Sequence, residues 1–483
     1  MKMKKILIFP LIVIFTLSLA FIGIGCKTEV AEETTAAETT VAETTAAETT
    51  AAETTSAGTT AEKKTFWEMI NARELDFSGV ELNVSAMGGM VDQQEYLPTC
   101  AKEFENLTGC KVNFIEDAWG TQQAKIINDA TSGANYFDMY KGDIEYEYSI
   151  YSFIEPLEPY FEKYNVDIEG RFLEPWYKYS QWSGLGTLGL PTSTGIHTIV
   201  VRKDIFANAG ITYPFDSWDT YNEALAKVND PAQNFYGASF AGGAQLAARF
   251  WSRLLGLGGD LYNETWGSKV NSPEGIKAFE LMRKMMDFAP PGVLSFQSND
   301  AAETFLSGNS AVYEGFFNWV REIENPEVSK VVGLTEVIAS PGNSPSGNLT
   351  FHHFCILKYS KNKDAAFCFA AYCTSEERQV AWAQQDVKGE VKGFDYTSIK
   401  AWQEVMLSAR PQWTAYLESL NTGVPFVSGL PQWLEVFIAI LENSGQVMSD
   451  KMTPQDAAIA LETKLTEIIS TAVPPYNYLT YQK

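Results

Sequence analysis

The first stretch of this chain whose spacing could hold a cofactor is Gly184-x-Gly186-x-x-Gly189, the glycine pattern of a phosphate cradle. Such a cradle must close a strand and open a helix, with an acidic side chain about twenty residues further on. Here Pro191 follows at once and an extended β-branched run comes after it, so no cofactor is expected. The chain has three histidines, His197, His352 and His353. Neighbours on a strand face opposite ways, so His352 and His353 do not jointly chelate one metal without a third ligand nearby. No metal is expected, and His352 is read as a hydrogen-bonding residue in a cleft. The six cysteines lack the paired spacing of a zinc site, and Cys100 with Cys110 could either close a short loop or stay as buried thiols. There is no Gly-x-Ser-x-Gly elbow, no His-Glu-x-x-His helix and no acid–base pair in a recognisable context, so no catalytic residue is expected and the chain is not read as an enzyme. What remains is recognition through hydroxyls, amides and closely approaching backbone. The candidates are Thr192, Ser193 and Thr194 after Pro191, Gly88 in Met87-Gly88-Gly89-Met90, Gly242 beside Gly243, and Gln245, one helical turn before Arg249.

These residues need elements to position them. An extended Leu190–Val201 would cover ~36–40 Å, about twice a typical strand, which is long enough to leave one sheet and enter another. The glycines before it then read as a mobile approach, Pro191 to Gly195 as a polar strip on a cleft floor, and Ile196 to Val201 as the first strand section of a second lobe. Alternation at Val80, Leu82 and Val84 predicts a first strand, and Leu97, Ala101, Phe104 and Leu107 fall at helical spacing before the stop at Gly109. Asp204 is expected to cap a helix ended by Gly210, Ser217 to cap the next, and Tyr236–Phe240 to form a short strand before a helix from Gln245 to Leu257.

The chain of 483 residues carries a formal charge of −24, and without Lys2, Lys4 and Lys5 it holds 33 basic against 60 acidic residues, or −27. Such a surface repels phosphate backbones, so nucleic acid is not an expected partner. Met1 to Lys5 is basic and Ile6 to Gly25 is apolar, the plan of an exported leader. The small residue before Cys26 resembles the lipobox of bacterial lipoproteins, which implies acylation of Cys26, although Gly23 departs from the usual leucine-like residue. Twenty apolar residues also suffice for an uncleaved span. From Lys27 to Lys64 the chain repeats Ala-Ala-Glu-Thr-Thr, with glutamates five apart, a period that fits neither helix nor strand and reads as a disordered tether. The remaining residues suffice for roughly two or three domains.

Several ordered segments resemble the bacterial extracellular solute-binding proteins of the carbohydrate type. They include FENLTGCKVNF (104–114), ANYFDMYKGDIEYEYSIYSFIEPLEP (134–159) and LPTSTGIHTIVVRKDIFANAGI (190–211), the last departing from the family at Val201-Arg202. ETFLSGNSAVYEGFFNW (303–319) and KNKDAAFCFAAYCTSEERQV (361–380) continue the match. The resemblance implies an α/β chain with the two-lobe periplasmic-binding-protein fold of type II, each lobe a mixed sheet flanked by helices and joined by hinge crossings. It implies residues 1–25 as a lipoprotein signal peptide, 26–64 as the tether, 77–195 with 354–405 as the N-terminal lobe, and 196–353 with 406–472 as the C-terminal lobe. By the same resemblance Asp143 would bind sugar hydroxyls, and Phe316, Phe317 and Trp319 after Gly315 would offer faces to a pyranose ring. Trp119, exposed by its neighbour Gly120, reads from its own context either as a further stacking face or as a surface-packed ring. The function implied is a lipid-anchored, monomeric receptor outside the cytoplasm that delivers a carbohydrate to the membrane subunits of an ABC importer. A non-sugar solute on the same fold, or a secreted glycan-active enzyme, are the alternatives.

Overall fold

A computed structural model describes residues 63–471, apart from 119, 183–184, 343–346 and 427–429. The leader, Cys26, most of the tether and Trp119 therefore lie outside the described residues. Among those described, no helix is long and apolar enough to cross a membrane.

The strands are β1 (Glu81–Met87), β2 (Lys111–Asp117), β3 (Met139–Asp143), β4 (Gln181–Trp182), β5 (Gly186–Thr187), β6 (Leu190–Arg202), β7 (Tyr236–Phe240), β8 (Ser310–Phe316), β9 (Thr335–Ile338), β10 (Asn348–Ile356) and β11 (Val424–Pro425). The hydrogen-bonded path runs β2-β1-β3-β10-β6-β8-β7, with β11 joined to β10 and β9 to β6, while β4 and β5 form a separate hairpin. β1 is parallel to β2 and β3, and β7 to β8, whereas β10 and β6 run antiparallel to their neighbours on that path. Helices cover the sheets, making this a mixed α/β architecture.

β6 is the element that ties the chain together. Leu190 to Ile196 pairs with β10, and from His197 onward the strand pairs instead with β8 and β9. All thirteen residues of β6 are buried. Pro191 can donate nothing to a ladder, and the register slips beside it: Ser193 faces His352, but Pro191 faces His353, leaving Thr192 as the extra residue of a bulge. The hydroxyls of this segment are satisfied without water, since Thr192 Oγ1 donates to the His352 carbonyl and Thr194 Oγ1 to the Thr350 carbonyl, both at 2.9 Å.

The helix signals act mostly as the sequence predicts. Ser217 accepts from the Thr220 amide and caps Trp218–Val228, and Tyr236–Phe240 is a strand followed by the helix Gln245–Gly256. Gly210 adopts φ +62° just past the helix Lys203–Asn208 and stops it. Asp204 is a correction: it stands inside the first turn rather than at the cap, because the Arg202 guanidinium clamps its carboxylate at 2.6 and 2.8 Å. Cys100, Cys110, Cys355, Cys368 and Cys373 are buried free thiols.

Candidate functional site

A cavity of about 390 Å³ lies where β6, β8 and β10 converge. That is within the usual size range of small-molecule sites. Ser193, Thr194 and Gly195 of β6 line it, opposite Asn348, Thr350 and His352 of β10, which share one face at alternate positions. Phe316 ends β8, with Asn318 and Trp319 just after it, and Gln245 contributes the first turn of its helix. Four carboxylates reach the wall, Asp92, Asp143, Glu145 and Asp395, and further aromatic surface comes from Phe394, Phe426, Trp433 and Phe437.

A row of polar contacts crosses the floor. Lys141 Nζ, fully buried, binds Asp92 Oδ1 at 2.9 Å. Ser193 Oγ donates to Asp92 Oδ2 at 3.1 Å and lies 2.8 Å from His352 Nδ1, while His352 Nε2 is 2.8 Å from Asp143 Oδ1. Ser193 and His352 thus link Asp92 to Asp143 in one continuous row. Burial works against the Asp92 charge, but Lys141 and His352 outweigh it and hold its carboxyl below the usual range. Thr350 Oγ1 donates to Glu145 Oε2 at 3.1 Å. Burial first, and the neighbouring Asp143 charge second, push the Glu145 carboxyl well up. Burial also raises Asp395, which Arg321 at 3.5 Å only partly offsets, leaving it at about 6.

The helix carrying Gln245 is fixed from behind by a second buried network. Glu314 of β8 receives Arg253 Nη1 and Nη2 at 2.8 and 3.1 Å, and Arg249 donates to the Ala241 and Glu314 carbonyls at 2.7 and 2.5 Å. Burial alone would raise the Glu314 carboxyl, yet Arg253 and Arg249 prevail and hold it at about 2. The same Arg249 charge acts with burial to depress His197 to about 3.

Of the residues singled out in the sequence, Asp143, Ser193, Thr194, Gln245, Phe316, Trp319 and His352 come together on the cavity wall. Four others do not. Gly88 donates to the Asp117 carbonyl and leaves the wall to Gly89. Thr192 is turned into the ladder by the bulge. Gly242 makes its close approach to protein rather than to the cavity, since a Cβ there would lie 2.1 Å from the Leu294 carbonyl oxygen. Phe317 is a core ring, 1% exposed, against Trp413 and Tyr416. Asp92, Glu145, Asn348, Thr350 and Asp395 were missed, because nothing in their local sequence sets them apart from surface or core polar groups. The only available signal was period two along β10, which puts Asn348 and Thr350 on the face of His352.

His353 points the other way, as adjacent strand residues must. It is fully buried, with Nδ1 2.6 Å from Glu147 Oε1 and Nε2 3.2 Å from Ser180 Oγ, while Cys355 Sγ donates to Glu147 at 3.2 Å. The ligand-type atoms of Glu147, His353 and Cys355 lie within 4.8 Å of one another, so the histidine does have further such groups close by. Burial and the Glu147 carboxylate push the Cys355 thiol well up, which keeps it a hydrogen-bond donor.

Residues 88–380 match the family profile described as bacterial extracellular solute-binding protein. A Sinorhizobium fredii protein named as a probable amino-acid ABC transporter periplasmic-binding protein is 23% identical over 408 residues, covering 80% of this chain and 89% of the relative. Among solved structures, an Agrobacterium radiobacter ABC transporter solute-binding protein in complex with ribitol superposes with a TM-score of 0.69 at 18% identity, over 81% of this chain and 100% of that one. Maltose-bound MalE3 of T. maritima gives 0.69 at 19% identity, over 80% and 100%. These likenesses show the two-lobe α/β fold.

Proposed function

The chain belongs to the bacterial extracellular solute-binding proteins, and from that premise we propose that it binds a carbohydrate in the cavity between β6, β8 and β10 and delivers it to an ABC importer. The family places it outside the cytoplasm as a solute receptor of ABC transport. The observation that carries the sugar reading is the wall itself: aromatic surface from Phe316 and Trp319 stands beside hydroxyl, amide and carboxylate groups. Apolar CH faces of a sugar suit such rings, while its hydroxyls need polar partners at the edge. The ribitol and maltose complexes on the same fold support this reading.

Two lobes, 77–195 with 354–405 and 196–353 with 406–472, are proposed to close on the solute, because only the closed form lets both contact it. The change of β6 partner between Ile196 and His197 supports the first boundary. On the return, β10 already pairs with the first half of β6 at Leu349, which favours a crossing before residue 349 rather than at 353. The anchor is proposed to be a lipid on Cys26, followed by the acidic tether, with the receptor acting as a monomer and no catalytic step involved. A non-sugar solute is the second reading, favoured by the name of the S. fredii relative and by the four carboxylates on the wall.

Calorimetric titration of the full chain with a panel of mono- and oligosaccharides tests the proposal. Saturable heat with at least one sugar is expected. A folded protein that gives none across the panel overturns the carbohydrate reading.

A further inference from the structure

The cavity wall is unbalanced in charge and in hydrogen-bonding type. Three of its four carboxylates have a basic partner: Asp92 has Lys141, Asp143 has the His352 imidazole, and Asp395 has Arg321. Glu145 has none within ion-pair distance among the described residues, and its donors are neutral, the Thr350 hydroxyl and its own backbone amide. It is 5% exposed, so water cannot do for it what a cation would. No lysine or arginine among the described residues lines the cavity. The wall also holds an orphan acceptor: Asn348 Oδ1 is buried without a partner, in a residue 8% exposed. Asn348 and Thr350 are two apart on one face of β10, and Thr350 touches Glu145, so the lone carboxylate and the orphan carbonyl lie on the same side. A neutral hydroxyl can donate to the Asn348 carbonyl but brings no charge to Glu145. An ammonium brings a charge and three donors, and rings such as Phe316 and Trp319 attract cations.

We propose that the solute carries a protonated amine that sits against Glu145, making it an amine-bearing solute, with an amino sugar the class that fits both this wall and the carbohydrate reading. The inference rests on that cavity being the binding site. The groups facing Glu145 are Asp143 from β3, Thr350 and His352 from β10, and Glu147 two residues along its own helix. Burial and the Asp143 charge favour the protonated carboxyl in the empty site, so an arriving ammonium should expel a proton to the solvent.

The test is calorimetry on the full chain with matched mono- and disaccharides that differ only in a hydroxyl or an amine at one position, together with spermidine as an amine that is not a sugar. Amine members are expected to bind roughly 10- to 100-fold tighter than their hydroxyl counterparts, as one charge-assisted contact would give. Glu145→Gln should collapse the ratio between amine and hydroxyl members to about 3-fold or less, whatever it does to their common affinity. Its melting temperature, read alongside, shows whether the variant is folded. If it is not, the wild-type chain still decides the matter: the heat of amine binding should vary with the ionisation enthalpy of the buffer, as proton release requires. Hydroxyl members that bind as tightly as amines, with no buffer dependence, overturn the amine while upholding the sugar. Spermidine binding with no sugar binding upholds the amine and overturns the sugar. Silence from every probe with folded protein overturns both.

Discussion

Glu314 has no charged neighbour in sequence, yet it is the residue on which the helix behind the cavity depends. Its carboxylate holds Arg253 in two hydrogen bonds, and Arg249 packs 3.7 Å away, all three fully or almost fully buried. Glu314→Gln would strand two guanidiniums in the interior, and a loss of about 3–5 kcal/mol is expected from urea unfolding at pH 7. The pH dependence has a definite sign. A folded value of about 2 lies below the roughly 4.3 of an unfolded glutamate, so the stabilisation is complete above that unfolded value and is lost as pH falls towards 2. The gap between wild type and variant should therefore narrow across that acid window. A gap independent of pH would show that the carboxylate charge is not what holds the helix.

Two glycines, one just before β6 and one within it, separate structure from binding. A Cβ on Gly189, just before the strand, would lie 2.8 Å from His353 Cβ and 3.0 Å from Cys355 Sγ, so Gly189→Ala must displace the bulged ladder. Overpacking of this kind costs about 1–3 kcal/mol, to be read as a lowered melting temperature. A Cβ on Gly195 would meet only Phe316 at 3.6 Å and Thr350 at 3.8 Å, both ordinary contacts and both on the cavity wall. Gly195→Ala is expected to melt close to wild type but to bind solute more weakly, because the methyl occupies space between two lining side chains. Equal effects on melting and binding in both variants would sink this division of roles.

At the scale of the whole molecule, the proposed lipid anchor on Cys26 makes a prediction about where the protein is found. Cys26→Ser is expected to leave solute affinity unchanged and to move the protein from the membrane to the soluble fraction, as seen by fractionation. Persistence in the membrane would favour the uncleaved apolar leader as the anchor. Saturation with solute should also raise unfolding stability by about 2.7 kcal/mol at 100 times the dissociation constant, since only the folded chain binds.

The sequence alone determined the α/β class, the family, the main element boundaries, and the long run from Leu190 that joins two ladders. The class, boundaries and long run follow from local periodicity and caps, which act over a few residues, and the family from ordered segments that resemble it. It also brought Ser193 and Thr194 into view through that run, Asp143 through the family resemblance, and His352 as one of three histidines. Tertiary structure decided the rest. The Pro191 bulge turned Thr192 into the ladder and Ser193 towards the cavity, the core claimed Phe317, and the Leu294 backbone claimed the approach at Gly242. It alone set Glu145 beside Thr350, with no cation in ion-pair distance among the described residues, although more than two hundred residues of chain separate the two. Charge balance in a cavity is a sum over side chains from many segments, and no local window of sequence contains that sum.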